Sequence, residues 1–504
     1  MKRRDISKVL LASTAGAVAL NERASAQTCT APCYGATAQE LAACGTPPNL
    51  AYLPGDVRRY GADPTASAAA NKTAIDCAIA AGYSIYFPDG VFLTTGNHSP
   101  KSNTTWWGTG TLKSSAVSNA LVTASGITAF TFAIHTDCSL QTATSKTAIS
   151  IDNSSDFSIQ DGRHTQGCIA IATTTGCHDF LICGNTLIST ALNNNTSAGA
   201  IGVNAQSHDF EISGNEITAP TGAGIAIYNG SYQAIVARNV CVSAIGSGIY
   251  INSAQYITVQ GNVCRSNGQS GIGLNASAPN TFGYPSYCTV VGNICANNTY
   301  DGIDYNLAVG GAQHATWTTI SGNVLTGNGS SSTGGTGIYL GNADEVTISG
   351  NTIVGNNQQG VFLNSCNYCT VTGNTVVANG TNAANTLDGI YIIGTFNTIS
   401  GNTSTNNGGS ANQRYGISEA GSTTNYNNIV GNSTNNNASG AVNIVGGNTI
   451  AQGNSPLSFD KMFYSYVFSS YTTPSTSGIP NGSIWMNPGA GTLNVLQSGS
   501  WVAK

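Results

Sequence analysis

Across residues 183–454, apolar side chains recur two positions apart in short runs, as in Ile249 and Ile251, Ile257 and Val259, Val346 and Ile348, and Cys369 and Val371. A period of two predicts strands, each with one face buried. The runs are punctuated by Gly-Asn pairs at Gly184-Asn185, Gly214-Asn215, Gly261-Asn262, Gly292-Asn293, Gly322-Asn323, Gly350-Asn351, Gly373-Asn374, Gly401-Asn402 and Gly431-Asn432, with Arg238-Asn239 standing in for one member. Successive pairs are 23 residues apart at the closest, from 238 to 261, and 31 at the widest, from 261 to 292. Between them lie Gly224-Ile225, Gly248-Ile249, Gly271-Ile272, Gly302-Ile303, Gly337-Ile338, Gly360-Val361, Gly389-Ile390 and Gly416-Ile417. Such a repeat buries its apolar face only by stacking on its neighbours. Each unit is expected to hold about three short strands, coiled so that equivalent residues sit roughly 4.8 Å apart from rung to rung.

Alignment of the units sorts the side chains. The strand after each Gly-Asn pair is expected to turn Leu187, Ile217, Cys241, Cys264, Cys295, Leu325, Ile353 and Val376 into one inward column. Three cysteines then act as small apolar core residues. Asn267, Asn297, Asn328, Asn356, Asn379 and Asn406 are expected to stack at one corner, where amides bond to the next rung. On the Gly-Ile strand the outward column reads Ala226, Tyr250, Gly273, Asp304, Tyr339, Phe362, Tyr391 and Ser418.

Residues 1–26 read as an export signal, with Arg3-Arg4 before Asp5-Ile6-Ser7-Lys8 resembling the twin-arginine class, an apolar stretch too short to span a membrane, and Ala24-Ser25-Ala26 at the cleavage site. The mature protein is therefore expected to be secreted or periplasmic in a bacterium. Residues 27–55 read as an irregular leader, 56–115 as an N-terminal cap with the first rungs, 116–455 as the repeats, and 456–504 as a C-terminal β tail or cap. In the cap, Asn71 is expected to begin a short helix that Gly82 ends, with Ile75 and Ile79 on one face. That helix would cover the open first rung. Cys29, Cys33 and Cys44 are expected to form a disulfide in the leader after export.

Composition changes the picture in one respect. Only 8% of residues are charged and the net charge is −5, so the chain lacks the basic footprint of a nucleic-acid binder. Cys366 and Cys369 form a lone Cys-x-x-Cys with no second pair, and no metal site is expected.

Arg59-Tyr60-Gly61-Ala62-Asp63, the helix carrying Ile75 and Ile79, and Tyr86-Phe87-Pro88-Asp89-Gly90, followed by the Gly-Asn rungs, resemble the pectate-lyase-like right-handed parallel β-helix proteins. That superfamily includes polygalacturonase relatives, polysaccharide lyases and epimerases, and phage tailspike depolymerases. The resemblance spans residues 57–454 and implies an all-β right-handed solenoid with a short capping helix, and a carbohydrate theme. Gly482-Ser483-Ile484-Trp485-Met486-Asn487 resembles a β module that ends tailspike chains. Such a tail caps the last rung or joins subunits as a homo-oligomer such as a trimer.

Asn298-Thr299-Tyr300-Asp301-Gly302-Ile303-Asp304 resembles the Asn-Thr-Asp-Gly catalytic segment of polygalacturonases, with Tyr300 inserted. Glycoside cleavage wants one protonated carboxyl and one ionised carboxylate, and Asp301 and Asp304 fit in type. The family's Asp-Asp pair, Gly-His-Gly and Arg-x-Lys are missing, and Asp388-Gly389 repeats the Asp-Gly pair, so Asp301 fits better as a turn residue than as a catalyst. Tyr250, Tyr339, Phe362 and Tyr391 are candidate sugar-stacking residues; the alternative is that they simply suit a pleated surface. Secondary candidates are His178-Asp179 and His208-Asp209, expected to stack one rung apart, then His164 beside Asp161 and Arg163, and Arg265 as a lyase base. No cofactor is expected, although a uronate lyase would call for Ca²⁺. Two functions follow: an exported protein that binds and cleaves a polysaccharide as hydrolase or lyase, or a non-catalytic β-helix that binds glycans or builds a surface structure.

Overall fold

The computed structural model describes residues 34–115, 120–142, 146–171, 174–190, 198–276, 282–307, 317–330, 334–406 and 413–455, with 467–469, 484–487, 492–497 and 499–503 in the tail. Residues 1–26, expected to be an export signal, and Cys29 and Cys33 lie outside them. No helix among the described residues is long and apolar enough to cross a membrane.

The repeats form a parallel β-helix. Each rung contributes one strand to a 13-stranded parallel sheet, then two strands to a 26-stranded sheet that folds at the Gly-Asn corner. In one rung these are Ile249–Asn252, Gln255–Gln260 and Val263–Arg265. The corner needs a left-handed residue, and the Gly of each pair supplies it at φ of 62–66°, while Arg238 adopts 56° in the rung that lacks glycine.

The inward column is as expected: Leu187, Ile217, Cys241, Cys264, Cys295, Leu325, Ile353 and Val376 pair in register, and all are buried. His164 starts that column against Leu187 and is fully buried, its ring held by Thr136 and Asn185. Burial holds its pKa down at about 4, so it is a neutral core residue rather than a surface catalyst.

The asparagines of the pairs form a ladder that the sequence reading did not anticipate. From Asn185 to Asn454, each backbone N–H and Nδ2 donates to the Oδ1 of the next rung's Asn, as from Asn262 to Asn293 at 2.9 Å for both bonds. The second corner ladder corrects the expected one. It runs Asn267, Asn298, Asn328, Asn356, Asn379 and then Gln413. The stacking residue lies three positions after the inward residue, Cys295 to Asn298, whereas Asn297 is a left-handed turn residue and Asn406 bonds Gln413 from outside the column.

The cap differs from expectation in three ways. The leader carries a helix, α1 (Ala38–Cys44), with Thr37 and Glu40 forming a capping box. The next helix, α2 (Ala68–Ala80), is capped by Ser67. Asn71 instead lies inside it, tying the helix to the chain through Asp63 and Leu93 backbone groups. Cys44 bonds Cys77 of α2, a partner outside the leader. The first helix meets the motif Arg59-Tyr60 through Glu40, whose carboxylate takes two bonds from Arg59, at 2.5 and 2.9 Å, and one from Tyr60. The guanidinium holds that carboxyl down to about 2. Ile75 and Ile79 reach the aromatic start of the core, with Phe87, Phe92 and Trp106.

The tail strands Val467–Ser469, Ile484–Asn487, Thr492–Gln497 and Ser500–Ala503 form a separate four-stranded sheet.

Candidate functional site

The outward column on the 13-stranded sheet forms in the predicted register. Ala226, Tyr250, Gly273, Asp304, Tyr339, Phe362, Tyr391 and Ser418 pair in succession, one per rung. Alternation along the strand puts them outside, because Ile303 and Tyr305 on either side of Asp304 are buried inside. Tyr339, Phe362 and Tyr391 touch in sequence, with ring centroids 5.4 and 5.0 Å apart.

Tyr250 sits on the other side of Asp304. Gly273 lies between them, and the Tyr250 ring takes the space its missing side chain leaves: a Cβ at Gly273 would lie 3.2 Å from that ring. Gly341 accommodates Tyr339 in the same way, at 3.0 Å. A second outward column, Asn252, Asn275, Asn306, Gly341 and Asn364, runs beside the aromatic one. Asn252 donates to the Tyr250 hydroxyl at 3.0 Å and Asn364 to that of Tyr339 at 2.7 Å. The sequence reading missed these amides. They were legible as the residue two after Tyr250, Gly273, Asp304 and Phe362 of the outward column.

Asp304 is the one carboxyl in this column. Its Oδ1 is buried and has no hydrogen-bond partner among the described residues. Desolvation raises its pKa, the charge on Asp301 raises it further, and Asn275 pulls the other way. Burial also raises Asp301, but the Thr336 N–H, donating to its Oδ1 at 2.6 Å, holds it lower. The pair is therefore split, with Asp304 the carboxyl that keeps its proton to higher pH.

The other candidates do not join this centre. His178 and His208 do stack, 5.2 Å apart and nearly parallel, each bonded to the next residue, Asp179 or Asp209, at 2.9 Å. They occupy the corner between the two sheets, with His208 four rungs before Asp304, about 19 Å along the axis. Arg265 lies on the strand after the Gly-Asn corner, on the 26-stranded sheet, away from the Asp304 face. Among the described residues no three His, Cys, Asp or Glu side chains gather as a metal-ligand set.

Comparison with known proteins bears on the fold. The family described as right handed beta helix region matches residues 237–389 and 311–455, and the family described as periplasmic copper-binding protein (NosD) matches 125–284. The A-module of mannuronan C-5 epimerase AlgE4 from Azotobacter vinelandii superposes with a TM-score of 0.51 at 17% identity, over 79% of this chain and 100% of that one. This chain has the right-handed parallel β-helix fold. The pre-mature gene product 12 of bacteriophage phi29 superposes with a TM-score of 0.59 at 16% identity, over 83% of this chain and 60% of that one. A search of curated sequences gave no match.

Proposed function

We propose that this β-helix protein binds a polysaccharide across its 13-stranded sheet and hydrolyses it at Asp304. The observation that carries the reading is the position of Asp304: a half-buried, outward residue whose Oδ1 is buried and unpartnered among the described residues, between aromatic rungs and beside an amide column. A group kept protonated by burial can donate its proton to a departing glycosidic oxygen, and Asp301, held lower by Thr336, is the carboxylate available to activate water. Aromatic faces and amides are the groups that hold sugar rings and hydroxyls. Support for a carbohydrate role also comes from the likeness to an epimerase that acts on mannuronan.

Charge favours hydrolysis over uronate elimination. Between Arg265 and Arg414 the sequence has no lysine or arginine, so these rungs offer no side-chain cation to neutralise a uronate. The substrate is accordingly a polysaccharide poor in acid groups. One observation favours the second reading, binding without cleavage: Asp388 makes the same turn bond as Asp301, to the Tyr415 N–H at 3.0 Å, so that bond alone is structural.

Incubation of the mature protein with a panel of neutral and uronate polysaccharides separates these readings. New reducing ends without unsaturated-uronate absorbance support hydrolysis, and absorbance supports a lyase. Binding with neither signal supports the non-catalytic reading.

A further inference from the structure

A second aromatic array lies at the corner where the chain leaves the 13-stranded sheet. The residue two before each strand pairing Thr258, Thr289, Thr319, Thr347, Thr370, Thr398 and Asn428 is Tyr256, Tyr287, Trp317, Glu345, Tyr368, Phe396 and Tyr426. Every one adopts a left-handed backbone, with φ of 55–59°. Earlier rungs fill the same position with Asp156, Asp179 and Asp209, short polar residues that tolerate this conformation. Bulky aromatics do not suit it, so the geometry of the corner gives no reason for six of them. All six are exposed.

Tyr256, Tyr287 and Trp317 follow one another at 4.7 and 5.0 Å, and Tyr368, Phe396 and Tyr426 at 5.1 and 5.1 Å. Three of these pairs are stacked within 9° of parallel and Trp317 is tilted 33° to Tyr287, and rings so close and so oriented cannot lie edge to edge. Their faces overlap, and the ring normals run broadly along the helix axis. The two stacks are interrupted by a single rung, that of Glu345. Trp317 and Tyr368 thus face each other across two rung spacings, about 9.6 Å, which leaves room for one ring between them. They are the most exposed of the six, at 55% and 58%, against 39–52% for the others.

We propose that this notch is a sugar subsite: one pyranose of a neutral glycan slots between the faces of Trp317 and Tyr368, its hydroxyls donating to the Glu345 carboxylate at the floor. Two aromatic faces and a carboxylate acceptor are the chemistry that recognises an uncharged sugar ring. A uronate or a nucleic-acid phosphate would meet Glu345 and Asp344 with no lysine or arginine between positions 265 and 414 to offset them. The inference rests on the reading of this chain as polysaccharide-acting and adds a place to it. Glu345 belongs to the rung of Tyr339, the rung next to Asp304, and six residues separate Tyr339 from Glu345, at most about 20 Å of chain. A glycan held in the notch can therefore reach the Asp304 column with a few further units.

The test is affinity electrophoresis of the full chain in gels containing hydroxyethyl cellulose, glucomannan, dextran or alginate. Wild type is expected to be retarded by at least one neutral polymer and not by alginate. Glu345→Tyr fills the notch with a seventh ring and is expected to reduce retardation at least tenfold while the melting temperature holds or rises. Tyr368→Asn, which suits the left-handed backbone, is expected to reduce retardation likewise without loss of the fold. Asp304→Asn is expected to keep notch binding, so a failure of catalysis at Asp304 is read separately. The proposal is overturned if Glu345→Tyr binds as wild type does, if no neutral gel retards the wild type, if alginate binds best, or if the variants change only self-association in size-exclusion chromatography.

Discussion

Asp301 and Asp388 hold the same turn position three rungs apart, each accepting the backbone N–H of the following rung, yet only Asp388 meets a cation. Arg414 grips Asp388 with two bonds, at 3.0 and 2.7 Å, whereas no cation reaches Asp301 among the described residues. The same local structure therefore yields a neutralised pair in one rung and, in the other, a carboxylate whose field acts on Asp304. Arg414→Ala should leave the buried Asp388 carboxylate without its counter-charge and destabilise the helix by roughly 1–3 kcal/mol. Asp301→Asn keeps the turn acceptor and should cost much less. Thermal melts of the two variants compare them directly.

Raised carboxyl pKa values also set a pH dependence. A carboxyl whose folded pKa lies above its unfolded value binds its proton more tightly when folded, so ionising it costs stability as pH climbs from the unfolded value through the folded one. Asp304 is shifted in that direction by burial and by Asp301. Asp304→Asn should therefore match wild type in strong acid and become progressively the more stable protein as pH climbs from the ordinary carboxylate range to the raised folded value. Denaturant midpoints at pH 5 and pH 9 check this, and an equal gap at both would mean Asp304 is solvated.

Cys241, Cys264 and Cys295 stack as core residues, and against a lowering hydrogen bond from Cys241 the Cys295 thiol and burial raise the Cys264 thiol well above its ordinary value. Cys264→Ser should destabilise by roughly 1–3 kcal/mol and Cys264→Ala by less. Thiol reagents should not label Cys264 until denaturant is added.

The asparagine ladder predicts a larger penalty at a polar position than a surface view would suggest. Asn293→Ala removes the acceptor of both the Asn262 N–H and its Nδ2, and leaves buried donors unpaired. A loss of roughly 2–4 kcal/mol is expected, measured by chemical denaturation.

Much of this molecule was legible in its sequence. The period-two runs and the Gly-Asn spacing gave the rungs, and register arithmetic placed Cys264 inside and Asp304 outside because alternation leaves no third choice. The errors arose where local pattern gave no distance. Asn297 and Asn298 are adjacent identical residues, and only the offset from Cys295 tells them apart. Cys77 was overlooked as the partner of Cys44 because helix packing, rather than spacing, brings them together. Asn71 resembles a helix cap in sequence, but its bonds to Asp63 and Leu93 depend on tertiary placement. The corner aromatics escaped notice because each is isolated in sequence and only the left-handed turn aligns them.

The central claim rests on Asp304, and Asp304→Asn tests it most directly. On whichever polysaccharide the wild type cleaves, reducing-end release by this variant should fall at least a hundredfold while binding of the same polymer stays within about twofold, consistent with loss of a general acid alone. Wild-type turnover by Asp304→Asn would contradict the account and place the chemistry elsewhere on the helix.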